Sequence, residues 1–132
     1  MKITTAALAG AALFLVGFLL GYVPQHQKAS RLMAELETAR FDSKLREIRA
    51  LASLSYVEAS KLNYGSAAED SARMFGISRE LVNDTKDDTL RRSLNGVLTF
   101  RETVQGKLSA ADASVLEPLQ RMVQKTNTEL KR

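Results

Sequence analysis

Residues 3–23, ITTAALAGAALFLVGFLLGYV, carry no charge and are apolar apart from two threonines, three glycines and a tyrosine. As a helix this run is about 31 Å long, close to the hydrocarbon thickness of a bilayer. A helix is also the one single-segment structure that satisfies its own backbone polar groups in lipid. The segment is therefore expected to be a single transmembrane anchor, residues 1–24, with the rest of the chain hanging from it. A cleaved signal peptide fits less well. Its apolar core is shorter, and no small-x-small site follows in Gly21-Tyr22-Val23-Pro24-Gln25-His26-Gln27.

Tyr22 suits the aromatic belt at the membrane surface, and Lys28 and Arg31 suit attraction to anionic headgroups, which makes these three residues the expected interfacial anchors. Basic residues flank the span on both sides, Lys2 before it and Lys28, Arg31, Arg40 and Lys44 after it, so charge alone does not orient it. The short N-terminal flank is that of a signal-anchor. The C-terminal domain is thus expected to be exported, and periplasmic if the source is a Gram-negative bacterium. The chain has no cysteine, so it carries no trace of a redox compartment.

Gly17-Phe-Leu-Leu-Gly21 is a G-x-x-x-G within the span, and Ala6 and Gly10 extend the small-residue face. Such faces let two helices approach closely, so Ala6, Gly10, Gly17 and Gly21 form a candidate docking face for another membrane helix, a second copy included.

Beyond the span the composition is helical. Leucine and alanine dominate, proline occurs only at 24 and 118, and no period-two run of β-branched or aromatic residues suggests a strand. Phe41, Leu45, Ile48, Ala52, Ser55, Ala59 and Leu62 repeat at alternating three- and four-residue spacing, the pattern of a helix with one buried seam, and Leu51 and Leu54 are expected to widen it. Leu32, Met33 and Leu36 form a narrower stripe. It is out of register with the first, because Leu36 to Phe41 is a five-residue step. Residues 25–40 accordingly read as a helical stalk and 41–132 as a helical bundle.

Three further helices follow. Asn63-Tyr64-Gly65-Ser66 breaks the pattern, and Ser66 with Glu69 matches a capping box for a helix carrying Ala67, Ala68, Ser71, Ala72, Phe75, Leu81 and Val82. Gly76 weakens the middle of that helix. After the polar stretch 83–89, where an aspartate is expected to cap, Leu90, Leu94, Val97, Leu98, Val104 and Leu108 form the cleanest stripe. Ser109-Ala-Ala-Asp112 is a looser capping-box match. Leu116, Leu119, Met122, Val123 and Leu130 mark the last helix, with Pro118 either in its first turn or at a kink. Short loops between such helices predict an all-α, antiparallel up-down bundle.

Leu51, Leu54, Ser55, Tyr64 and Ala67 fall where a tetratricopeptide repeat places its leading apolar residue, its Leu-Gly pair, its turn tyrosine and its second-helix alanine. The helix–Asn-Tyr-Gly–helix turn resembles that repeat over about 27 residues of its 34-residue period. Glu58 and Ser71 depart from the pattern, and no second copy follows. The resemblance implies a helical hairpin and, by extension, a concave peptide-binding surface.

No constellation for catalysis emerges. Without cysteine and with His26 as the one histidine, transition-metal sites built on those ligands are excluded. Phosphate-binding loops, nucleophile elbows and zinc-protease motifs are missing, and the neighbouring carboxylates Glu35/Glu37, Glu69/Asp70 and Asp87/Asp88 point different ways on a helix. No enzyme activity, cofactor, metal or small-molecule substrate is expected. The net charge of +4 does not point to nucleic acid. Residues 28–64 hold seven basic and five acidic groups and residues 65–88 three and six, so neighbouring helices compensate each other. The expectation is a membrane-anchored, non-catalytic interaction module, an accessory or scaffolding subunit of a membrane or envelope complex. The alternative is a sensory or regulatory ectodomain acting through a partner.

Overall fold

The computed structural model describes the backbone of residues 2–131, and the side chains of residue 16 and of residues 27–131. The described residues are predominantly helical, without strands. The helices are α1 (Lys2–Ser60), α2 (Tyr64–Asp84), α3 (Asp88–Leu98), α4 (Arg101–Ser109) and α5 (Leu116–Glu129), with a 3-10 turn at Ala113–Val115 before α5. By compactness the chain divides into two units, residues 1–39 and 40–132.

The first unit lies within α1, a single helix over Lys2–Ser60. Among the described residues, no helix is long and apolar enough to cross a membrane. The side chains of 3–23, Val16 excepted, lie outside the description. Residues 27–39 are exposed along their whole length.

In the second unit the sequence stripes become the core. Leu45, Ile48, Ala52 and Ala59 of α1 are buried with Ala67, Met74, Phe75 and Leu81 of α2, Leu90, Leu94 and Val97 of α3, Val104 and Leu108 of α4, and Leu119, Met122 and Leu130 at the end of the chain. Phe41 and Leu116 are half-buried against them. Leu51 is buried, but Leu54 is 48 % exposed and does not widen the seam. At 100° per residue it stands about 140° from the centre of the 45–48–52–55–59 stripe, too far round to reach the core.

The contacts between α1 and α2 run in opposite order along the chain. Lys44 pairs with Glu80 at 2.6 Å, Glu47 pairs with Arg73, and the buried Ser55 hydroxyl donates to the Ala67 carbonyl at 2.8 Å. The two segments therefore form an antiparallel hairpin. Further on, α2 packs against both α3 and α4, and α5 packs against α3 and α4.

The ends of the helices differ most from expectation. α1 closes on Leu62, which adopts a left-handed φ of 65°. The Leu62 N–H donates to the Ala59 carbonyl and the Asn63 N–H to the Glu58 carbonyl, a Schellman closure usually built on glycine. α4 closes in the same way on Ala111, at φ 51°, with bonds from Ala111 to Leu108 and from Asp112 to Lys107. No described glycine has a positive φ. Gly65 instead lies in the first turn of α2, which starts two residues before Ser66, so the Ser66–Glu69 capping box does not form.

Asp87 is the capping aspartate of α3 and accepts from the Thr89 and Leu90 N–H groups at 2.9 and 3.2 Å. Ser109 ends α4 rather than capping anything. Asp112 caps the following 3-10 turn, accepting from the Ser114 N–H at 2.8 Å. Pro118 lies in the first turn of α5, where a missing donor is harmless. The expected single helix over 89–108 is broken at Thr99-Phe100, where the Phe100 N–H reaches back only three residues, to Val97, and the Thr99 hydroxyl takes the Gly96 carbonyl. The apolar stripe fails at the same place: the position that should continue it is Arg101, which is exposed.

Candidate functional site

A groove of about 540 Å³ lies between α2 and α4. Ala72, Phe75, Gly76 and Arg79 line it from α2, and Arg101, Glu102 and Gln105 from α4. Small residues at 72 and 76, one helical turn apart, leave the space, and a Cβ added at Gly76 would meet nothing within 4 Å. Phe75 is buried and gives the groove an apolar floor.

Gln105 ties the two walls together. Its amide donates to the Ser71 hydroxyl at 2.7 Å and to the Ala68 carbonyl at 3.4 Å. Ser71 is buried, so this pair satisfies polar groups that would otherwise be costly inside the bundle. Arg79 and Arg101 are exposed and form no ion pair with a described residue, so the rim presents two free guanidiniums beside Glu102. A second hollow of about 390 Å³ lies over Thr99, Phe100, Lys107, Ser114 and Pro118. In the second hollow the Lys107 ammonium donates to the Ser114 hydroxyl, which in turn donates to the Asp112 carboxylate at 2.8 Å. Among the described residues no group of His, Cys, Asp or Glu is gathered closely enough to hold a metal ion.

Two carboxylates are held below their ordinary pKa, both beside the left-handed turns. Glu58 accepts from the Asn63 amide at 2.8 Å and from Lys61 at 3.3 Å, and these bonds favour its charged form. Asp112 accepts from the Ser114 backbone N–H first of all, then from the Ser114 hydroxyl and Lys107. Both are half-buried, and each ties down the helix end beside it.

The residues singled out from sequence fall in the first unit. Ala6, Gly10, Gly21 and Tyr22, like His26, lie outside the described side chains. Gly17 is exposed on α1, and a Cβ there would meet nothing within 4 Å. Lys28 and Arg31 are exposed on the same helix, with no ion pair to a described residue. The α2–α4 groove had no counterpart in the sequence reading. The one linear signal for it was the pair of small residues at 72 and 76 on the polar side of α2.

Comparisons with protein-family models, with curated proteins and with solved structures found no match. The tetratricopeptide resemblance thus remains local. The hairpin and the Ser55–Ala67 approach are present, whereas Leu54 is exposed.

Proposed function

We propose that this chain is a membrane-anchored, non-catalytic interaction module, an accessory or scaffolding subunit of a membrane or envelope complex. The observation that carries the reading is α1. One helix includes the charge-free segment 3–23, the exposed residues 27–39 and the first buried stripe of the bundle. The segment 3–23 has the length of a single span, with Tyr22, Lys28 and Arg31 at its membrane surface. In this reading residues 41–132 form an antiparallel up-down bundle on the exported side. The bundle uses most of its apolar residues on its own core, which leaves the span and the stalk as the docking surfaces.

Membrane fractionation and co-purification test the proposal. The wild-type chain is expected in the membrane fraction, in association with another membrane protein. Replacing Gly17 and Gly21 together with isoleucine is expected to weaken that association while leaving the helical circular dichroism unchanged. A chain that stays in the soluble fraction overturns the anchor. A chain that extracts as a lone monomer with and without the double substitution overturns docking through the span.

A further inference from the structure

We infer that the stalk pairs in parallel with the stalk of a second copy of this chain. Within residues 27–39 every side chain is exposed, yet Leu32, Met33 and Leu36 are 63 %, 73 % and 51 % accessible. Three large apolar side chains on one exposed helical stretch are a surface that water disfavours.

The spacing selects the kind of cover. Ala29, Leu32, Leu36 and Ala39 follow one another at three, four and three residues, the a/d seam of a two-stranded coil, and no charge falls on that seam. Met33 flanks the seam at an e position. Alanine at both ends of the stripe lets two backbones come close, while the two leucines between them supply the knobs.

The charges select the orientation. In a parallel pair, the g position of one helix meets the e position five residues on in the other. Here that places Glu35 of one copy opposite Arg40 of the other, an acid facing a base on each side of the seam. Neither residue has an ion-pair partner of its own among the described residues. Parallel order is also what a shared membrane imposes, and to that extent the inference rests on the anchor reading. The seam covers fewer than the three or four heptads that an independent coiled coil needs. Confinement of both copies to one membrane supplies the effective concentration that so short a seam requires.

Cysteine scanning in native membranes tests this directly. The chain has no cysteine, so every disulfide reports the residue introduced. Single substitutions to cysteine from Ala29 to Arg40 in the full chain are oxidised and run on non-reducing gels. Strong dimer bands are expected at Ala29, Leu32, Leu36 and Ala39, with loss of the band at Ser30, Ala34 and Thr38 on the other faces. Glu35→Arg in the Leu36→Cys background is expected to lose the dimer, and adding Arg40→Glu to restore it. Uniform bands, no bands, or a band confined to the middle of the stripe as in an antiparallel pair would overturn the inference. Fractionation of the same samples keeps the two readings apart. Membrane-bound chain without cross-links removes the pairing and leaves the anchor, whereas soluble chain removes the anchor itself.

Discussion

Ala111 offers the sharpest test of the helix ends. It holds φ at 51°, a conformation that costs an L-residue about 1–2 kcal/mol because Cβ crowds the following carbonyl. Glycine has no Cβ, so Ala111→Gly removes that strain. Against this, glycine loses more conformational freedom on folding, a penalty of about 0.5–1 kcal/mol relative to alanine. Ala111 is exposed, so little packing is lost. The difference leaves a net stabilisation of about 0.5–1 kcal/mol, or an increase of about 4–8 °C in melting temperature per kcal/mol for a domain of this size. Ala110 is the internal control. It is also exposed, but its φ is −87°, an ordinary conformation, so Ala110→Gly keeps the entropic penalty and relieves nothing. Urea unfolding followed by circular dichroism should move the two midpoints in opposite directions. Two variants destabilised alike would refute the left-handed closure and the strain argument with it.

Other parts of the fold respond to simpler changes. Ile48→Asp or Leu94→Asp places an unpaired charge at a fully buried position and is expected to cost more than about 4 kcal/mol, enough to abolish cooperative thermal unfolding; an unchanged melting curve would mean that the buried faces are misassigned. The folded-state pKa values of Glu58 and Asp112 lie below the ordinary carboxylate range, so the stability they contribute is complete above that range and is lost as pH falls through their depressed values. The stability gap between wild type and a Glu58→Gln, Asp112→Asn double variant should therefore shrink between neutral pH and about pH 3, and a gap that stays constant over that window would refute the assignment.

The helices and the core were legible because apolar periodicity is a property of the chain alone. Leu45, Ile48, Leu94, Val97 and Leu119 repeat at helical spacing, and one face of each helix has nowhere else to go. An aspartate cap within 83–89 was legible for a similarly local reason, since the bonds Asp87 makes reach only two and three residues ahead, though which of the three aspartates would serve was not. The stopping points were not. Glycine is the usual left-handed residue, yet here Leu62 and Ala111 take that conformation while Gly65, Gly76 and Gly106 lie in helices. Ser66 and Ser109 had the spacing of caps, but each is overruled by a closure formed a few residues away. The burial of Met74 and Ser78 and the break at Thr99-Phe100 depend on which helices meet. So does the α2–α4 groove, whose two arginines are 22 positions apart in sequence, 101 against 79. The stalk stripe was visible as apolar residues; its exposure, the fact that gives it meaning, came from the fold.

The brevity of α4 has a kinetic consequence. Its nine residues, Gly106 among them, are too few to hold a helix in water, since isolated helices shorter than about 12–15 residues are marginal. Contacts from outside the helix maintain it: Val104 and Leu108 in the core, and Gln105 latched to Ser71. Amide protons of 101–109 are therefore the first in the bundle expected to exchange with solvent, through a local opening rather than global unfolding. Arg101, Glu102 and Gln105 ride on this helix, so each opening takes one wall of the groove with it. Anything that bridges Arg79 and Arg101 is therefore expected to slow the exchange of the whole α4 segment.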